Sequence, residues 1–227
     1  MYGTYEKSAG AKTALTVLHA VGVYSSAWIL FGSGFGLLFH WTGKTAPSDH
    51  VLGRVLVFAC AAVYFARVCF GSLRLYKRTV GYGEGIGIGV YTIFIHTLFA
   101  FFGRINRQPL DWLLFLAVFL YVAGSYLNTR SEYLRGLWKG NPGNQGRLYT
   151  AGYFRHSRHV NYFGDEMLFT GYALIAGSLW GLIVPALMAC GFVFVNIPTL
   201  DGYLQKKYGA EFESYARRTK KFIPYIY

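Results

Sequence analysis

Long apolar runs separated by short charged segments organise this chain. From Thr13 to Phe39 there is no Asp, Glu, Lys or Arg, and His19 is the one histidine. A helix needs about 20 predominantly apolar residues to cross a bilayer. This run suffices for a retained first span and is too long for the apolar core of a cleavable leader. Further runs extend from Val51 to Leu73, Ile86 to Phe102, Leu110 to Leu127, Tyr162 to Ser178 and Trp180 to Leu200. Almost nothing separates the last two, so Gly177-Ser178-Leu179 is expected to form a tight hairpin. The pattern predicts an all-α, polytopic transmembrane bundle of about six spans, a single integral membrane domain over residues 1–227.

Past Leu200 the period changes. Leu204, Tyr208, Phe212 and Tyr215 recur at steps of four, four and three among charges, which predicts an amphipathic helix lying at the inner membrane surface. Pro224 is expected to close that segment. The stretch from Gly140 to Gly146 reads as a turn-rich loop. Gly32 and Gly36 form a small-residue pair suited to helix packing. The alternating glycines from Gly81 to Gly89 lack the spacing of a dinucleotide fingerprint and read as a flexible entry to the third span.

Composition agrees with the spans: 54% of residues are hydrophobic and only 14% charged, against about a quarter charged in soluble domains. Disorder, collagen and coiled coil are excluded. Cys60, Cys69 and Cys190 lie in apolar stretches and support neither a disulfide framework nor a zinc cluster. The net charge is +12, and its distribution follows the topology. With six spans, 17 of the 22 cations fall on the face that also carries both termini, and three fall on the other. By the positive-inside rule that basic face is cytoplasmic or its organellar equivalent. Endoplasmic reticulum, mitochondrial inner membrane and bacterial plasma membrane all satisfy it. The charge is therefore the mark of a membrane topology and of an anionic ligand, and not of a nucleic-acid surface.

The few acids and amides cluster beside these cations. Asn128, Glu132 and Arg135, spaced by four and three, share a helix stripe leaving the fourth span. Asn161, Asp165 and Glu166 open the fifth, just after Arg155-His156-Ser157-Arg158-His159. Ionisable residues entering a membrane segment mark a functional site by default; the bland reading is helix caps and snorkelling side chains. Carboxylates, amides and arginines together suit a ligand with hydroxyls and phosphates, such as a nucleotide. His156 and His159 have a metal-like spacing without an evident third ligand. Within the second span Tyr64 precedes Arg67 by one turn, and Arg78 lies eleven residues beyond Arg67 on the same face. Arg67 then either lines a cavity, with Tyr64 as a proton donor, or makes a structural ion pair with the tyrosine as packing.

These residues also carry a family likeness. The stretch from Gly152 to Glu166, Gly-Tyr-Phe-Arg-His-Ser-Arg-His-Val-Asn-Tyr-Phe-Gly-Asp-Glu, followed by Tyr203 to Tyr215 and a terminal Phe-Ile-Pro-Tyr-Ile-Tyr, resembles the C-terminal part of the steroid 5α-reductase superfamily. That group includes sterol reductases and, more distantly, isoprenylcysteine methyltransferases. Asn128-Thr-Arg-Ser-Glu-Tyr133 is similar to the reductases' Asn-x-x-Ser-Asp-Tyr, and Tyr64-Phe-Ala-Arg67 to their Tyr-Phe-x-Arg. The likeness covers roughly residues 55–227.

The resemblance implies an oxidoreductase that binds NADPH on the inner face. Asn128, Glu132, Lys139, Arg147, Asn161, Asp165 and Tyr203 match positions that contact the cofactor, and Arg67 and Arg78 match basic positions on its side. Tyr64 matches the tyrosine that polarises the carbonyl of a conjugated steroid or other lipid enone. Two departures stand out. The glutamate that 5α-reductases pair with this tyrosine has no counterpart between residues 13 and 39, and Val195-Asn196 stands where some relatives carry an arginine. The alternatives are an S-adenosylmethionine-dependent methyltransferase, against which Val160 stands where proline is usual, and a catalytically degenerate subunit of a larger membrane complex.

Overall fold

A computed structural model of the chain describes residues 8–40, 50–72, 79–106 and 111–227. These are helical almost throughout; their one β feature is an isolated bridge between Ser157 and Lys220. Five helices are long and apolar enough to cross a membrane: Ala9–Phe31, Val51–Phe70, Tyr82–Ile105, Trp112–Gly140 and Leu179–Tyr208. The protein is an integral membrane protein. The expected fifth span forms α6, Val160–Ile175. Its 16 residues reach about 24 Å at 1.5 Å per residue, short of the roughly 30 Å hydrocarbon layer.

The contacts divide the chain into two compact units, one of Met1–Phe119 with Thr170–Val184, the other of Leu120–Phe169 with Pro185–Tyr227. In the first, α1 (Ala9–Phe31) is followed by the short α2 (Gly34–His40). The expected single run from Thr13 to Phe39 is thus broken, and Gly32 and Gly36 do not share a helix. The reason is local: Trp28 folds over the turn, so a Cβ on Gly34 would lie 2.7 Å from its indole. Arg54 of α3 (Val51–Phe70) donates from Nη1 to the Leu30 carbonyl at 2.9 Å. A cation there satisfies a carbonyl that the end of α1 leaves open.

Helix α4 (Tyr82–Ile105) runs through the glycine-rich segment and packs closely on α1. Gly85 and Gly89 are buried, and a Cβ on either would meet the Ala11 carbonyl or the Leu18 side chain at 2.6 Å. Those glycines are therefore a small-xxx-small packing groove, not a flexible entry. Gly22 does the same from α1, where a Cβ would stand 3.0 Å from Ile93 Cα.

In the second unit, the C-terminal part of α5 (Trp112–Gly140) crosses the N-terminal part of α6. A Cβ on Gly124 would lie 2.5 Å from both the Gly164 carbonyl and the Leu168 nitrogen. Backbones this close admit only glycine, so Gly124→Ala is expected to lower stability by about 1–3 kcal/mol through overpacking. Gly36→Ala, which meets nothing within 4 Å, is the control and should be neutral or slightly stabilising. The unfolding midpoints of the two variants in detergent check this.

The hairpin forms as expected, with Gly177 at φ 75°. After it, α7 (Ile183–Gly191) passes through a π-helical turn, Phe192–Asn196, into α8 (Ile197–Tyr208). The expected single amphipathic helix is two, because Gly209 at φ 50° separates α8 from α9 (Ala210–Arg218). The apolar stripe continues across the break: Phe212 and Tyr215 bury Leu148, with Leu204 and Tyr208 packed beside them. Much of that stripe is spent on the protein itself. Helix α9 ends at Arg218, well before Pro224.

Candidate functional site

The sequence-predicted residues fall into two groups, one in each unit. In the first unit Tyr64 and Arg67 stand together on α3, the Arg67 guanidinium lying 5.1 Å from the centre of the Tyr64 ring. Both are half-buried. Arg78 lies outside the described residues. What the sequence reading did not foresee is the company of Tyr64. His19 of α1 places its ring 5.1 Å from that of Tyr64, and His96 of α4 lies 5.9 Å away.

The two histidines are joined Nε2 to Nε2 at 2.8 Å, and His96 Nδ1 lies 3.2 Å from the Tyr172 hydroxyl. All three side chains are fully buried. An Nε2-to-Nε2 hydrogen bond requires one ring to carry a proton at that atom and the other to be bare. At the far end of this chain, His19 Nδ1 is buried and has no hydrogen-bond partner among the described residues. The close approach of α1 and α4 at Gly22 lets the rings meet, since a Cβ on Gly22 would press 3.2 Å from the His96 ring. The signal present in the sequence was His19 itself, the one histidine in a run without fixed charges.

In the second unit α5 and α6 bring Asn128 and Asn161 together. Asn128 donates its side-chain amide to the Asn161 main-chain oxygen at 2.9 Å. One turn on, Glu132 is paired through Oε2 with Arg135, while its Oε1 is buried without a hydrogen-bond partner among the described residues. Thr129 Oγ1 and Glu166 Oε2 are in the same condition. Asp165 is half-buried, four residues after Asn161 on α6. Glu132 Oε1, Thr129 Oγ1 and Glu166 Oε2 thus have no hydrogen-bond partner among the described residues, and the Arg135 guanidinium paired with Glu132 is partly exposed.

Lys139 sits at the end of α5, donating to the Tyr208 hydroxyl at 3.0 Å and to the Arg147 main-chain oxygen. The Arg147 side chain is exposed. Tyr203, on α8, accepts at its hydroxyl from Lys207 at 3.2 Å. Its contacts place it with the basic C-terminal helices.

The basic run before α6 is spent differently. Arg158 donates from Nη2 to Asp201 Oδ2 at 2.9 Å and from Nη1 to the carbonyls of Thr219 at 2.6 Å and Ala216 at 3.1 Å. His159 Nε2 meets Asp201 Oδ1 at 2.9 Å. His156 turns instead to Arg155 and Tyr225, so the two histidines with metal-like spacing face different partners. Ser157 donates to the Phe222 carbonyl at 2.7 Å, and the Arg158 N–H to that of Lys220 at 2.8 Å. Tyr215 donates to the Phe154 carbonyl at 2.6 Å. Burial pushes the Tyr215 phenol up from its ordinary value, which keeps it a neutral donor. Arg158 and His159, part of the basic run just before the acids, hold the C-terminal segment in place.

Comparison with known proteins agrees with this picture of the chain. The family described as protein of unknown function (DUF1295) matches residues 87–219. A 3-oxo-5-alpha-steroid 4-dehydrogenase 1 from Macaca fascicularis is 32% identical over 212 residues, 84% of this chain and 73% of that protein. The Delta(14)-sterol reductase erg24 of Schizosaccharomyces pombe is 26% identical over 169 residues, 66% of this chain and 39% of its own length. A probable O-methyltransferase, ustE of Ustilaginoidea virens, is 30% identical over 89 residues, 39% of this chain and 31% of its own. The chain thus spans well under half of two of these relatives and about three quarters of the third. The match to the DUF1295 family over more than half the chain, with the 5α-reductase-like relative covering most of it, shows that this protein belongs to the steroid 5α-reductase superfamily.

Proposed function

We propose that this protein is an NADPH-dependent membrane reductase that saturates the conjugated C=C bond of a steroid or other lipid enone. The observation that carries the reading is the α5–α6 cluster. Glu132, Thr129 and Glu166 each keep one buried side-chain oxygen with no hydrogen-bond partner among the described residues, and the first two are close in sequence to Arg135, Lys139 and Arg147. Buried polar groups are normally satisfied, and leaving one unmade costs about 1–3 kcal/mol. Ribose hydroxyls and amide N–H groups are donors of the right kind for those acceptors, and the cations suit phosphates. The residues therefore fit the group: Asn128, Glu132, Asn161 and Asp165 would take its hydroxyls and amides, and Lys139, Arg147 and Tyr203 its phosphate end. Bound NADPH would supply a hydride to the far carbon of the enone.

Tyr64 is then the acid. Its ring faces the Arg67 guanidinium, whose carbon lies 5.1 Å from the ring centre. Donation to the substrate carbonyl stabilises the developing enolate. Both termini and the cofactor-binding residues lie on the inner face of the membrane in this reading, where the positive-inside rule puts the cation-rich segments.

The O-methyltransferase relative supports a second reading, in which the same C-terminal region takes S-adenosylmethionine. Thermal unfolding in detergent separates the two. NADPH at 100 times its Kd is expected to stabilise by about 2.7 kcal/mol, and S-adenosylmethionine not at all. The opposite preference would replace the leading reading with the second. Asn161→Ala is expected to reduce the NADPH effect while leaving the ligand-free midpoint near wild type, because the bond from Asn128 uses the main-chain oxygen.

A further inference from the structure

We propose that residues 217–227 form a docking surface for the anionic headgroup layer of the bilayer. Arg217, Arg218, Lys220 and Lys221 meet lipid phosphates, and the Tyr225–Ile226 tip enters the boundary between headgroups and acyl chains. The surface lies wholly in the second unit and is independent of which reaction the protein performs.

The depth of the segment follows from what holds it. The Arg158 and His159 N–H groups, at the entry to α6, donate to the carbonyls of Lys220 and Lys221 at 2.8 and 3.1 Å, and Ser157 Oγ donates to that of Phe222. The buried Phe222 ring packs 6.1 Å from that of Phe163 on α6 and 6.0 Å from that of Phe192, within the Leu179–Tyr208 span. Phe163 lies among the polar residues that open α6, and Phe192 one turn before Asn196, where the span gives way to polar residues. The level at which apolar helices turn polar is the membrane interface. The segment is therefore held at headgroup depth.

What it displays there is a preformed tip. The Phe222 N–H donates to the Tyr227 carbonyl at 2.6 Å, and those of Ile226 and Tyr227 to the Ile223 carbonyl at 3.1 Å. Tyr225 takes φ 65°, which L side chains rarely adopt, and its hydroxyl is held by His156 Nδ1. Even so, Tyr225 and Ile226 are each 73% exposed. The α8–α9 stripe, by contrast, is buried against Leu148. Arg217, Arg218, Lys220 and Lys221 are exposed as well, and no acid occurs from Ser214 to Tyr227.

Charge and apolar surface together select the occupant. An anionic leaflet offers both a negative potential for Lys and Arg and a boundary layer that aromatic and aliphatic side chains prefer. A soluble anion would use the cations and leave Ile226 in water. A soluble protein would have to displace headgroups at that depth. Because the neighbouring helices already hold the surface against the bilayer, engagement is intramolecular and each contact can be weak.

An environment-sensitive nitrobenzoxadiazole probe on Ile226→Cys, with Cys60, Cys69 and Cys190 changed to alanine, tests this in nanodiscs. Discs of phosphatidylcholine alone are compared with discs that also contain phosphatidylserine. A blue shift and a rise in emission are expected with phosphatidylserine, and both should shrink at about 1 M salt, where the screening length is about 3 Å. Lys220→Glu combined with Lys221→Glu should abolish the difference between the discs. Its unfolding midpoint in neutral detergent should stay near the parent's, because both lysines join the fold through main-chain carbonyls. Equal emission from the parent in the two discs, or a difference that survives the charge reversal, would overturn the proposal. So would a shift produced by inorganic phosphate in phosphatidylcholine discs, which would assign the cations to a soluble anion. A blue shift in detergent that grows with protein concentration would assign the tip to a second copy of the chain instead.

Discussion

Tyr64→Phe is expected to lower turnover of an enone substrate by about 10²–10⁴-fold, the usual contribution of a positioned general acid, while NADPH still raises the unfolding midpoint as in wild type. The variant is conservative in every other respect. The ring that packs against His19 and stacks under Arg67 remains, so the change removes one hydroxyl and little else. If Tyr64 is the acid, the loss falls on kcat, because the interaction strengthens as charge develops on the carbonyl oxygen. A variant with undiminished kcat would place the acid elsewhere.

Arg158→Ala is expected to be the most destabilising single change in the second unit, by about 3–5 kcal/mol, the cost of breaking a buried ion pair from one side. The Arg158 side chain is 6% exposed and that of its partner Asp201 18%. Its loss leaves Asp201 with His159 as its remaining ring partner and strips the Ala216 and Thr219 carbonyls of their donor. Arg158→Lys should recover only part, because a single ammonium does not reproduce a fork that joins a carboxylate to two carbonyls. The unfolding midpoint in detergent gives the loss, and trypsin cleavage at Arg217, Arg218, Lys220 and Lys221 should accelerate as the C-terminal segment detaches. A midpoint within experimental error of wild type would show that this network is dispensable.

How much of this was readable beforehand depended on whether a feature is local. The membrane helices were, because bilayer transfer sums over neighbouring residues and needs no knowledge of partners. The stripe of Asn128 and Glu132 was too, since a four-residue spacing puts both on one face of any helix. Its continuation out of the fourth span follows from the 29-residue length of α5. The family likeness rested on the same short stretches. By contrast, Gly85 and Gly89 were misread, because a glycine in a flexible segment and one packed against a neighbouring helix look alike until the neighbour is known. Only the contact with Ala11 and Leu18 tells them apart.

The sequence by itself determined that the chain is a helical membrane protein and that amides and acids stand close along the chain to its cations. Those are properties of composition and of periodicity within one helix. Only the tertiary structure decided which polar groups are spent and which are left over. Arg158 and His159 are consumed by Asp201, 43 and 42 residues away, whereas Glu132 and Glu166 keep acceptor capacity. The first span, bare of carboxylates, contributes His19 to a partner 77 residues distant. Such pairings depend on how each helix is rotated about its axis, which the close contacts of Gly22, Gly85 and Gly89 between α1 and α4 help to fix in the first unit.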